Sequence, residues 1–475
     1  MQAAVSHLSP YGGSWYPGDP SQLRELLDRL FESSERRTGR YLAGKPLAFV
    51  VPHAGLAYSG TVAAAAYRHL QAEQPERILL LGFPHHGSAP GVWIPDVDAI
   101  RTPLGEVAVD RQAVQALLET QHFKRLPESV LCDHSVEIQL PLLQKAAPGA
   151  RIVPVYVSRL DEQMRESAAG ALATWVRPGT VLMASSDFTH YGKAFGFQPF
   201  PADEWVAEHL RDLDESVVEA AGSLRQELFL EVLRTTSATV CGVQPIALLL
   251  ATLRLLDGEE EIFQELLDYQ TSGEVTGDFK HCVSYAALGY FPHTAFHLGG
   301  EEQALLLESA RQTLEHYLRT GERNPIPPAR ETAALERRAG AFVTLHKHGR
   351  LRGCVGRRSA AESLFQSIPE LTLSAALEDT RFDPVAPSEQ GLEVEISVLT
   401  PMKRIPDLDC FRLGLHGALL ESGRRHSLLL PQVATEAKWK AKQFFDALAR
   451  KAGLTSEVYR DPATRVYVFR AQVIQ

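Results

Sequence analysis

The sequence has little of what marks a membrane, secreted or fibrous protein. No apolar run reaches the roughly 18 residues needed to span a bilayer. Cysteine is scarce and scattered, with five in 475 residues (132, 241, 282, 354 and 410), an odd total and no CxxC pair. A disulfide framework is not expected, and a reducing compartment is the default. The first twenty residues show no basic stretch leading into an apolar one, so no secretory signal is expected and the location expected is cytoplasmic. Low-complexity tracts and internal repeats are absent, and 34 Gly with 29 Pro argue against a collagen-like or disordered chain. Basic charge is also in deficit, with 48 Lys+Arg against 58 Asp+Glu. Residues 1–300 carry 23 basic against 36 acidic side chains, and residues 301–475 carry 25 against 22. The acidic first part argues against nucleic acid as a partner, and the second permits an anionic ligand without requiring one.

What is present is enough chain for two or three domains. The segment PHTAFHLGGEEQ breaks the regular patterns on either side, which predicts one domain over 1–292, a linker over 293–303 and a second domain over 304–475. In the first, the runs LAFVVP, RILLLGF, RIVPVYV and TVLMASS alternate with helical stretches. Continuous apolar strands separated by helices predict an α/β domain, doubly wound around a largely parallel sheet. In the second, GAFVTLHKHGRLRGCVG predicts a hairpin turning at His348–Gly349. Further strands there do not alternate strictly with helices, so this smaller domain is α+β.

Three polar residues follow three predicted core strands: His53, His85 and Asp187. Ligands of open α/β sheets bind at the carboxyl ends of strands, so these three should converge. Two histidines and a carboxylate form the facial set of non-haem iron(II) oxygenases. His190 lies three residues beyond Asp187 and is placed to act as acid or base. The plainer reading is a set of glycine turns that favour polar residues. Residue order alone does not separate His85 from His86.

The blocks GSWYPGD (13–19), VPHAGLAYSG (51–60), GFPHHG (82–87), TPLGEVAVD (102–110), DHSVEIQLPLL (133–143), SSDFTHYG (185–192) and TVCGVQPIALLL (239–250) together resemble the Memo family, collinearly over about 7–291. That family shares its fold with the class III (LigB-type) extradiol dioxygenases, which are non-haem iron enzymes. The resemblance implies His53 and His85 as metal ligands, with Cys241 where the dioxygenases have a glutamate. Asp187 and His190 then line the pocket as supporting or acid/base groups. By residue type alone, Cys241 reads first as a small buried hydrophobe on the helix that runs into IALLLATLRLL. A thiolate suits iron(II) first, with copper or zinc as alternatives, and its presence sets the site apart from the ring-cleaving enzymes. His134 and Glu137 are candidate substrate contacts; the competing reading is helix capping by Asp133 or Ser135.

In the second domain Cys354 sits among Arg350, Arg352, Arg357 and Arg358. Cations favour the thiolate, which makes Cys354 a candidate reactive or ligand-contacting group; the plainer reading is an inward cysteine with solvated arginines around it. LRGCVG (351–356), EDTRFDPV (378–385), LEVEISVLTP (392–401), GLHGALLES (414–422) and SLLLPQVATE (427–436) together resemble the AMMECR family over about 302–473. The matched positions that would line a pocket are Arg352, Cys354, Arg381, Asp383 and His416. The two resemblances correspond to proteins B and A of the AmmeMemoRadiSam system, which implies a radical SAM protein as partner and a small-molecule substrate. No Cx3Cx2C motif occurs, so the iron–sulfur chemistry of such a partner is not expected in this chain.

Overall fold

The computed structural model describes residues 5–86, 89–127, 131–359, 361–461 and 463–475. The chain divides into two compact units, one of Met1–Thr38 with Ala43–Ala295, the other of Gly39–Leu42 with Phe296–Gln475. No helix among the described residues is long and apolar enough to cross a membrane.

The first unit is built on a nine-stranded sheet. Its strands in chain order are β1 (Ala48–Val51), β2 (Arg77–Gly82), β3 (Val92–Pro95), β4 (Phe123–Leu126), β5 (Arg151–Val157), β6 (Thr180–Ser185), β7 (His190–Tyr191), β8 (Ile262–Thr271) and β9 (Cys282–Pro292). Across the sheet the order is β7-β9-β1-β6-β2-β5-β3-β4, with β8 paired to β9. The run β1-β6-β2-β5 is parallel. Every residue of β1, β2 and β6 is buried, so this core is covered on both faces, as the unbroken apolar runs require. Antiparallel pairs flank it, notably the long β8–β9 hairpin. That hairpin is outside the alternation read from the sequence because β8 is only half-buried and carries Gln264, Glu265 and Asp268.

Helix α1 (Leu56–Glu73) follows β1 directly, and its run of buried alanines lets it lie close on the sheet. Helix α2 (Val243–Leu256) is apolar nearly all round and buried accordingly. Because β6 lies between β1 and β2, the chain leaves three adjacent parallel strands at the same edge. His53 stands two residues beyond β1, His85 three beyond β2 and Asp187 two beyond β6. The sheet thus brings together residues more than 130 positions apart.

The second unit has two four-stranded sheets. Its strands are β10 (Ala341–Lys347), β11 (Arg350–Arg357), β12 (Leu392–Leu399), β13 (Lys403–Ile405), β14 (Gly417–Ser422), β15 (Arg425–Leu429), β16 (Arg465–Phe469) and β17 (Ala471–Ile474). One sheet runs β11-β10-β12-β17 and the other β13-β16-β14-β15. The β10–β11 hairpin turns where expected: His348 (φ 50°) and Gly349 (φ 73°) both take left-handed backbone, the pattern of a type I′ turn. Helices α3 (Gly300–Thr320) and α4 (Leu364–Leu377) cover the first sheet through Leu306, Leu314, Ile368 and Leu371. Helix α5 (Ala441–Lys451) buries Phe444, Phe445 and Leu448 against the second, each worth about 1.5–3 kcal/mol of transfer free energy. Helix α3 begins at Gly300, within the stretch read as linker, with Glu301 and Glu302 in its first turn where the helix dipole favours them.

Candidate metal centre

His53 is buried at the end of β1, and its two ring nitrogens have distinct tasks. Nδ1 lies 3.1 Å from Ser185 Oγ, which also accepts from Gln139 Nε2 at 2.9 Å. Nε2 lies 3.0 Å from Cys241 Sγ. Burial, reinforced by the neighbouring His85, pushes the His53 imidazole down to about 3, so the ring stays neutral and keeps a lone pair to offer.

His85 is oriented by Asp133. Its Nδ1 is 2.9 Å from Asp133 Oδ1 and its backbone N–H donates to Oδ2 at 3.2 Å. A carboxylate accepts at Nδ1, which leaves Nε2 as the free donor for a metal, the carboxylate–histidine arrangement typical of ligating imidazoles. Burial acts to raise the Asp133 carboxyl, but the hydrogen bond from His85, the charges of the nearby imidazoles and the Ser135 amide hold it below the usual carboxylate range. His85 rather than His86 lines the cleft.

Cys241 reaches the same point from the turn before α2. Its Sγ accepts the backbone N–H of Asp187 at 3.2 Å. Burial, and next the Asp187 charge, push the thiol well up, so a metal is what would draw off its proton. The turn is tight: the Gly242 N–H donates to Ser186 Oγ at 2.8 Å, and a Cβ at Gly242 would lie 2.4 Å from Ser186 Cβ. The ligand atoms of His53, His85 and Cys241 all lie within 4.8 Å of one another. Two imidazoles with their far nitrogens tied, and a sulfur already accepting an amide hydrogen, fit a divalent metal.

Asp187, the third ligand expected from position alone, is used differently. Its Oδ1 accepts the backbone N–H groups of His53 (2.7 Å) and Ala54 (3.2 Å), fixing the turn that carries His53. Burial raises its carboxyl. His190 Nδ1 lies 2.9 Å from the carbonyl oxygens of both Phe188 and Thr239. Carbonyls only accept, so the proton sits on Nδ1 and Nε2 carries the lone pair. His134 packs its ring 4.0 Å from that of His85 and 4.4 Å from Trp15, and burial pushes it down to about 4.

His53, His85, His134, Asp187 and His190 line a cleft of about 420 Å³ together with Ser14, Trp15, Ala54, Gly55 and Tyr58, and Cys241 lies behind His53 rather than in this lining. Trp15 and Tyr58 are absent from the sequence reading because an aromatic side chain by itself announces no chemistry. Glu137 is not in the lining; it is fully buried with Oε1 3.1 Å from His7 Nε2. Asp133 does cap the one-turn helix His134–Glu137, accepting from Ser135 N at 2.9 Å, and holds His85 with the same oxygen.

A sequence model of the Memo family, described as Memo-like protein, matches residues 9–289. The chain belongs to the Memo family. A second model, AMMECR1, matches residues 307–474, so this Memo-family chain also carries an AMMECR1 domain. Protein memo-1 homolog of Caenorhabditis elegans is 30% identical over 295 residues, covering 60% of this chain and 82% of that protein. A MEMO1 family protein of Methanopyrus kandleri is 32% identical over 298 residues, covering 58% and 95%. A protein of Methanothermobacter thermautotrophicus is 40% identical over 185 residues, covering 37% of this chain and 95% of that one.

In the AMMECR1 domain of this Memo-family chain the arginines around Cys354 are directed elsewhere. Arg352 makes a two-pronged contact with Glu389 at 3.0 and 3.1 Å, Arg357 meets Glu362 and Glu370, and Arg358 meets Glu421. The expected cation-stabilised thiolate is therefore corrected. Burial raises the Cys354 thiol, and this outweighs the lowering by Thr344, Arg381 and Lys451. Cys354 and Arg381 are brought together by Asp379, which accepts the Cys354 N–H at 2.8 Å and the Arg381 guanidinium at 2.7 and 2.9 Å. His416 is fully buried, with Nδ1 accepting from Arg412 N at 3.0 Å. A cavity of about 750 Å³ in this unit is lined by Glu389 and His346 among others, but not by Arg352, Cys354 or Arg381.

Proposed function

We propose that the Memo-like unit is a metal-dependent redox enzyme acting on a small molecule, with iron(II) held by His53, His85 and Cys241. The observation that carries this reading is the convergence of two imidazoles and one thiol, with both imidazoles lining an open cleft. Bound iron(II) with protein ligands on one side would supply open positions for substrate oxygens and an oxidant. Copper or zinc would fit the same donors. The protein's own residues prepare that point. Asp133 and Ser185 fix the two imidazoles, Asp187 holds the His53 turn, and His190 Nε2 takes or returns a proton at the substrate. Trp15, Tyr58 and His134 provide an apolar and aromatic wall that limits water near the ligands.

Under this proposal the AMMECR1 domain serves the same pathway, because joining two modules in one chain raises their effective concentration for each other. A cytoplasmic radical SAM protein of the AmmeMemoRadiSam system is the partner proposed. The test is nitric oxide binding, followed by electron paramagnetic resonance, to protein loaded anaerobically with iron(II). A high-spin iron–nitrosyl signal would establish an open position on the metal. Tightly bound iron that gives no such signal would overturn the enzymatic reading in favour of a non-catalytic binding or scaffold protein.

A further inference from the structure

Among the described residues of the first unit, one other cluster besides the cleft brings ligating side chains together without a role in the proposed reaction. His7, Cys132 and Glu137 place a ring nitrogen, a sulfur and a carboxylate oxygen all within 4.8 Å of one another. Two of the three flank the Asp133 turn, and His7 comes from the short strand Ser6–Leu8, which pairs in parallel with Ala99–Thr102. Glu137 is fully buried; His7 Nε2 stands 3.1 Å from Oε1, while Oε2 has no hydrogen-bond partner.

A buried carboxylate oxygen left unmatched forfeits the hydrogen bonds it would make in water. The His7 ring supplies at most one proton to this carboxylate, through Oε1, and leaves Oε2 without a partner. A carboxylate, a thiol and an imidazole grouped this closely match the donor types of zinc, whose bonds of about 2.0–2.3 Å need only a small contraction of the cluster. His7 and Cys132 are partly exposed, which leaves a route for an ion and room for water as a fourth ligand.

We infer that His7, Cys132 and Glu137 form a second metal site, for zinc or a similar borderline divalent cation, separate from the His53–His85–Cys241 centre. An ion there would tie the Ser6–Leu8 strand to the turn that carries Asp133. Since Asp133 orients His85, the second ion would act as a clamp on the first centre without touching it.

The test is cobalt(II) and zinc(II) titration of the full chain, read by stoichiometry and by the thiolate–cobalt charge-transfer band. Wild type is expected to take up two equivalents, and His7→Ala and Cys132→Ser one each. Cys241→Ser should keep one equivalent whose charge-transfer band disappears when Cys132→Ser is added. One equivalent in wild type, unchanged in His7→Ala and Cys132→Ser, would overturn the inference. One equivalent that survives Cys241→Ser but is lost in His7→Ala would uphold this site and reject the first. His7 is partly exposed, so His7→Ala keeps the test valid if Cys132→Ser fails to fold.

Discussion

The cleft of the first unit and the arginine-rich hairpin of the second both place a cysteine beside glycine, among residues that could do chemistry. Folding treats them in opposite ways. In the cleft the far nitrogen of each imidazole is tied, and the near one is left facing a sulfur. On the hairpin Arg352, Arg357 and Arg358 are each taken up by a glutamate, and Arg381 by Asp379. Dense reactive residues therefore mark a site only where bonding capacity is left over after the fold is complete. The contrast extends to proton affinity. Burial lifts the carboxyl of Asp187, whereas ion pairing draws Asp379 and Glu389 each down to about 2.

The sharpest way to break the comparison is to remove one group from each side. His53→Ala should abolish tight iron(II) binding, a loss beyond about 100-fold, since removal of even an outer partner of a ligand costs about 10–100-fold. Arg352→Ala should leave the affinity unchanged in the same anaerobic titration. Next in size, Asp133→Asn frees the His85 ring and should weaken iron binding by about 10–100-fold. Asp379→Asn, its counterpart beside Cys354, should not.

Gly242→Ala tests how the cleft is built rather than what it binds. The added Cβ meets Ser186 at 2.4 Å, and overpacking of this kind costs about 1–3 kcal/mol in urea unfolding. The smallest effect is the pH dependence of the second unit. The folded pKa of Asp379 lies below its unfolded value, because of the Arg381 hydrogen bond first, so its contribution is present above about pH 4 and is lost as pH falls toward 2. The pair is partly exposed, so the contribution belongs in the range of about 0.2–1 kcal/mol usual for such pairs. Asp379→Asn should therefore lower urea stability slightly at pH 6 and leave it unchanged near pH 2. Asp187 and Asp214 carry the opposite sign, because burial raises both and their cost fades as pH falls.

Much of this was legible in the sequence for a mechanical reason. Continuous apolar runs imply parallel strands, parallel strands present their carboxyl ends together, and His53, His85 and Asp187 stand at those ends. The His348–Gly349 turn was legible because few dipeptides accept two left-handed residues. Cys241 was ambiguous by residue type because both descriptions hold: its thiol is buried, and it faces His53. Asp133 read as a helix cap, and its Oδ1 serves Ser135 and His85 at once, a double use that spacing does not reveal. Glu137 shares a helical turn with His134 yet meets His7, a contact across 130 residues that spacing within the turn does not reveal. Cys354 misled because a run of arginines does not show where each guanidinium is spent: Arg352 and Arg357 are taken up by Glu389, Glu362 and Glu370, which lie apart from it in sequence.

The central claim is that His53, His85 and Cys241 together hold a metal. Metal content after anaerobic purification, with iron(II) titration of wild type and Cys241→Ser, tests it most directly. The account predicts tightly held iron in wild type and a binding site specifically weakened by the substitution. Equal iron binding in the two proteins, or none in either, would contradict it.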